Sequence, residues 1–282
     1  MDRVKRLQLG EADFDVHALH ALQWLAYGHL QKGNYGQAFE LLETMANIHR
    51  RRPTPMCKWY FALMRAAHVI NAPDWKKANM EIDMDGVELS AAASDLFARG
   101  LAAIRAGTTG GERAMQQIVT LRTAAEKNIK DHSHHHSSYF DGVYPTSIRA
   151  ARIMETQLEA LILLADGRRE QAVKRMKDAV AAEERLPVGY GPPIPVKPSR
   201  ELLGETLLNL GQPKEAQAHF EASLARTPRR TLSLIGLAAA ARDSNDPSVL
   251  EQTAKELRQI LQDPQRGYPA WRDLPRGKNA GN

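Results

Sequence analysis

The chain is short of the residues that give a protein chemistry by themselves. Cysteine occurs once in 282 residues, as Cys57. An internal disulfide is therefore excluded, and the lone thiol suits a reducing compartment, so a cytoplasmic location is expected. No histidine–aspartate or histidine–asparagine constellation points at Cys57, which reads as a small semi-buried residue opening a helix. No run reaches the length of apolar sequence a transmembrane helix needs, so no membrane insertion is expected. The opening MDRVKRLQLGEADFD holds no apolar core of the kind a secretory signal carries. Charge of one sign is not banked anywhere. The formal net charge is +5, but lysine and arginine alternate with aspartate and glutamate outside the short runs His49–Arg52 and Arg229–Arg230. A nucleic-acid partner would call for a dense basic stripe, so none is expected. Enzyme signatures are missing as well: no glycine-rich phosphate loop after a strand, no GxSxG, no HExxH. Carboxylate pairs such as Glu183–Glu184 and Asp83/Asp85 fall at helix ends or in turns. The expectation is a protein with no catalysis of its own and no cofactor.

Alanine and leucine dominate what remains, with 43% apolar residues overall. Both lose little conformational freedom in a helix, and β-branched residues are sparse. Apolar residues recur at three- and four-residue steps almost throughout, interrupted by glycine, asparagine and proline at turn positions. The pattern predicts an all-α chain of six helical hairpins near 14–50, 55–82, 87–131, 144–185, 198–227 and 229–262. Linkers at 132–143 and 186–197 separate hairpins three to five, and 264–282 is expected to be a flexible polar tail. In the second hairpin the helices are expected near 55–71 and 75–82, the latter short and irregular. All six hairpins are expected to form one repeat domain over 1–263.

A fixed offset runs through these hairpins. In LLGETLLNLGQPKEAQAHFEASLARTP, Leu203–Gly204, Leu207, Ala216, Phe220 and Pro228 follow the spacing of a 34-residue helical repeat, and a shift of 34 gives Leu237–Ala238, Ala241, Leu250, Ala254 and Leu257. Small residues at 26, 100, 204 and 238 allow the two helices of a hairpin to approach closely. On HALHALQWLAYGHLQKG (17–33), GPPIPVKPSRELLGETLLNLGQPKEAQAHFEASLARTP (191–228) and RRTLSLIGLAAAAR (229–242), the chain resembles bacterial tetratricopeptide-repeat proteins. More narrowly, it resembles the C-terminal half of a longer family of them. The resemblance implies an α-solenoid, a right-handed superhelix with a concave groove. It brings no catalytic residues to carry over.

Two segments interrupt the repeat. DHSHHHSSYFDGVYP (131–145) gathers His132, His134, His135 and His136, which as neutral imidazoles suit Zn or Ni. The spacing matches no fixed-element zinc site, and the segment reads first as a polar loop. LPVGYGPPIPVKPS (186–199) carries four prolines between 192 and 198 and reads as a semi-rigid strap, with Tyr190 and Lys197 projecting and Ser199 capping the next helix.

Repeats of this kind present their first helices to the groove. The groove-facing positions are then His20, Gln23, Tyr27 and Gln31, followed by Gln157, by Lys197 from the strap, by Glu201, Glu205 and Asn209, and by Arg242. Trp24 is expected to pack between helices. The reading is an interaction scaffold that holds a peptide or partner protein in this groove. Two other readings stay open: a metal- or small-molecule-binding protein using the His-rich loop and the strap, and an architectural subunit of a homo-oligomer.

Overall fold

The computed structural model describes residues 16–131, 145–189 and 191–261. Among these residues there are eleven α-helices and no strand. They are α1 (Val16–Gln31), α2 (Tyr35–Arg51), α3 (Pro55–Asn71), α4 (Leu89–Arg105), α5 (Gly110–Asp131), α6 (Pro145–Ala165), α7 (Arg169–Glu183), α8 (Ser199–Asn209), α9 (Pro213–Arg226), α10 (Thr231–Asp243) and α11 (Pro247–Ile260). None is long and apolar enough to cross a membrane.

Local chemistry sets the ends. Thr54 caps α3: its hydroxyl accepts the Cys57 N–H at 3.2 Å, with Pro55 in the first turn where no N–H is missed. Glu88 serves α4 in the same way through the Ser90 and Ala91 N–H groups. Asp246 serves α11 through Val249, again with proline next. Ser199 was expected to cap α8. It is instead the first helical residue, fully buried, with Pro198 in the cap position. At the other ends, Gly167 and Gly211 take φ of 77° and 74°. That left-handed backbone lets Arg168 and Gln212 donate back to the Leu163 and Leu207 carbonyls, closing α6 and α8.

The described residues fall into two compact units. One comprises the residues up to Leu30 with Tyr35–Val196, the other Gln31–Asn34 with Lys197 onward. In the first unit α3 packs on α2 and α4, α4 also on α5 and α6, and α6 on α5 and α7. Helix α4 has neighbours on several sides, and every residue from Leu89 to Ala98 is buried. Its run of Leu89, Ser90, Ala91, Ala92 and Ala93 is small enough to permit that. At Gly100 a methyl group would stand 2.9 Å from the Ala114 Cβ and 3.0 Å from Leu158, so the close approach of α5 and α6 needs glycine there. In the second unit α9 packs on α8 and α10, α10 on α11, and α8 meets α10. Phe220, wholly buried on α9, fills the space left by two glycines. A methyl at Gly204 would lie 2.8 Å from its ring, and one at Gly236 would lie 2.2 Å from it. Adjacent-helix packing of this kind is compatible with an α-solenoid.

The second hairpin departs from expectation. In place of a helix over 75–82 there is one 3₁₀ turn, Trp75–Ala78, and the chain then runs without a helix to Leu89. Side chains have taken the backbone groups a helix would use. The Met80 carbonyl accepts from the Arg65 guanidinium, and the Asp85 carbonyl accepts from Lys58 at 2.7 Å. The Asp83 carboxylate accepts its own chain's Asp85 N–H at 3.0 Å, an Asx turn that competes with helix.

Candidate functional site: a cleft where a helix is missing

Lys58 and Arg65 lie seven residues apart on α3, two turns along one face. Lys58 also binds the Asp83 carboxylate. Together they tie the segment after the 3₁₀ turn to α3. No second helix fills the space beside α3 and α4, and a cleft of about 930 Å³ remains. That volume is in the range of small-ligand sites. Val69 from α3, Trp75 and Ala78 from the turn, Met80 and Ile82 from the segment, and Ala102, Ala103 and Ala106 at the end of α4 make its apolar wall.

Five ionisable side chains line it. Arg65 is buried and spent: its Nε donates to Asp95 Oδ1 at 2.6 Å, a second nitrogen donates to Oδ2, and a third to the Met80 carbonyl. Asp83 is held by Lys58, whose hydrogen bond lowers the Asp83 pKa from the ordinary carboxylate value. Lys76, Glu81 and Arg99 are exposed. The Lys76 ammonium stands 5.8 Å from the centre of the Trp75 ring. Neither Lys76 nor Arg99 has a carboxylate partner among the described residues. Asn79 and Thr108 complete the lining, so the cleft offers apolar contact, charge and two neutral polar side chains.

The residues expected in a groove do not form one exposed face. Gln23 and Gln157 are buried, and Lys197 and Glu201 are fully so. His20, Asn209 and Arg242 are exposed, and Tyr27, Gln31 and Glu205 half-buried. The His20 ring lies tilted against Trp24 with centroids 5.2 Å apart and meets Tyr60 edge-on at 6.4 Å. Trp24 was expected to be a packing residue. It remains 44% exposed, yet one edge lies so close to the strap that a methyl at Gly191 would come within 2.7 Å of its ring. Gln31 clusters with the second unit, where its side-chain oxygen accepts the Thr231 N–H at 3.0 Å and its carbonyl accepts the Thr231 hydroxyl. Arg242 pairs with its neighbour Asp243. His132, His134, His135 and His136, and Tyr190 of the strap, lie outside the described residues. Among the described residues no three metal-ligating side chains converge.

Lys197 and Glu201 belong to a buried ionic cluster inside the second unit. Glu201, in the first turn of α8, accepts from Arg230 Nε at 2.7 Å and from a second guanidinium nitrogen at 2.9 Å. It also accepts from the Ser233 hydroxyl, and Lys197 Nζ lies 2.9 Å away. Lys197 reaches Glu205 as well. Burial alone would raise the Glu201 carboxyl. The charges of Arg230 and Lys197, with the hydrogen bonds from Arg230 and Ser233, outweigh it and hold the pKa at about 2.

One further group stands out. His68 on α3 is buried beside Phe39, with ring centroids 5.6 Å apart and no hydrogen-bond partner at either ring nitrogen. Burial lowers its pKa to about 4, against a smaller upward pull from Asp74. Its position between Ala67 and Val69 on a core face carries the signal of a buried histidine. The one trace of the cleft in the sequence is the short, irregular second helix expected over 75–82; Met80 to Ile82 continues a helical pattern and hides the missing turn.

Compared with protein-family models, with curated proteins and with solved structures, the chain matches none of them.

Proposed function

We propose that this protein is a non-catalytic binding protein built from tetratricopeptide-like hairpins, and that its ligand enters the cleft beside Trp75. The repeat reading is supported by Phe220 and its glycines, by the pairs Gly204/Ala238 and Phe220/Ala254 at equivalent buried positions 34 residues apart, and by α8 and α10 lying side by side. A superhelix and cytoplasmic residence go with that reading. The observation that carries the binding role is the lost second helix of the second hairpin. It leaves an apolar, charge-rimmed space where a complete repeat would be filled with side chains. The proposed binding role thereby moves from the groove to the cleft, and its ligand from a peptide or partner protein to a small molecule. With Gln23, Gln157, Lys197 and Glu201 buried, the expected groove lacks much of its contact set, whereas the cleft is open.

Fluorinated fragments screened by ligand-observed NMR against wild type and Ala106→Trp test this. Ala106 is an exposed lining residue just past α4, so tryptophan there fills the mouth without entering the core. Binders that disappear in the variant support the cleft. Binders that are retained at full strength, or no binders at all, defeat it.

A further inference from the structure

The cleft's free charges point to the kind of molecule it takes. Of the five ionisable groups that face it, Arg65 is neutralised by Asp95 and Asp83 by Lys58. That leaves Lys76 on the 3₁₀ turn, Arg99 on α4 and Glu81 on the covering segment, two cations against one carboxylate, all three exposed. Behind them the wall is apolar: Val69, Ile82, Ala102 and the Trp75 indole. A ligand that satisfied both parts would set an apolar body against the indole and the α4 alanines and leave an anionic head at the rim. A wholly polar anion would forgo the wall, and a neutral apolar molecule would leave both cations unanswered.

Resting on the cleft reading above, we infer that the ligand is a small amphipathic carboxylic acid, its carboxylate held between Lys76 and Arg99 and its hydrocarbon or aromatic part against Trp75. Arginine suits this role because its planar fork donates two parallel hydrogen bonds to a carboxylate, with Lys76 adding a point charge. The cleft's volume of about 930 Å³ favours a small acid over a polypeptide stretch, which would need a longer track. Glu81 opposes the carboxylate and so sets an upper limit on affinity. It also disfavours ligands carrying more than one negative charge.

The test uses the full chain with octanoate, 1-octanol and octyltrimethylammonium as probes, below their aggregation limits. Binding is read from the Trp75 indole N–H resonance, assigned with Trp75→Phe. Octanoate should bind about tenfold or more tightly than the other two, a difference fitting one charge-assisted contact. The preference should vanish in Lys76→Gln/Arg99→Gln, whose exposed sites leave the fold intact by circular dichroism. Glu81→Gln should tighten octanoate and leave octanol unchanged. Equal binding of octanoate and octanol overturns the inference and spares the cleft, as does preference for the quaternary ammonium. If no probe moves the indole while the fragments sensitive to Ala106→Trp still bind, the carboxylate assignment alone falls. If those fragments fail too, the cleft reading falls with it.

Discussion

Arg65–Asp95 in the first unit and Arg230–Glu201 in the second are built alike and surrounded differently. Each is a buried two-pronged pair, each links the first helix of one hairpin to the start or middle of the next hairpin's first helix, and the partners stand 30 and 29 residues apart. Around Glu201 the hairpin is complete: α9 closes over α8, and Lys197, Arg230 and Ser233 all turn to the same carboxylate. Around Arg65 the second helix is absent, and the guanidinium's third nitrogen donates to a backbone carbonyl of the segment that replaces it. The same device thus seals a hairpin in one place and pins the cover of a cleft in the other. A buried pair of this kind adds little net stability over apolar packing, but losing one partner is costly because the other is left charged and dry.

The largest effect that would sharpen this contrast comes from cutting each pair at its acid. Glu201→Ala removes the bidentate carboxylate of the buried Arg230, one of the two carboxylates of Lys197 and the acceptor of the Ser233 hydroxyl, and should lower unfolding free energy by about 3–5 kcal/mol in urea titration. Asp95→Ala strands only Arg65 and should cost less. Equal losses would mean the two surroundings do not matter. Acid separates the units next. His68 has a folded pKa near 4, below its unfolded value, so the unfolded chain binds the extra proton between about pH 6.5 and 4. Stability therefore falls as pH drops through that window, by up to about 3 kcal/mol at the low end. Glu201 is depressed to about 2, so its contribution is present above the ordinary glutamate pKa and is lost only as pH falls from about 4.5 toward 2. Hydrogen exchange at pH 4.5 should show α3 loosened before α8 and α10. Simultaneous loosening would break the distinction. The smallest effect is at the cover. Asp83→Asn weakens an exposed pair with Lys58 and should leave the global unfolding midpoint nearly unchanged, while amide exchange over 79–88 rises. A large drop in melting temperature would show that the Asp83–Lys58 tie supports the whole unit and not the segment alone.

Helix limits are legible in the sequence because the groups that set them are local. Thr54 before Pro55, Asp246 before Pro247, and glycine at 167 and 211 each act within four residues. The burial of Glu201 was not legible, because it depends on Arg230, 29 residues away, and a glutamate in a first helical turn ordinarily faces water. Its neighbours Leu202 and Leu203, both buried, offered a hint that this end of α8 lies deep. The burial of Gln23 and Gln157 was not legible either: wheel positions assume that the first helix of each hairpin keeps one solvated side, and at these two residues that side is covered. The cleft escaped notice because it is made by carbonyls being captured by Lys58 and Arg65, a competition between distant side chains and the helix that periodicity does not register.

Phe220 with Gly204 and Gly236 has a consequence for how this chain can change over generations. The ring occupies room that both glycines vacate, so none of the three can vary independently without collision or void. A smaller residue at 220 would make alanine acceptable at 204 and 236, and only then. Substitutions along α8, α9 and α10 are therefore ordered in time: the change at 220 has to come first, and each later step is conditional on it.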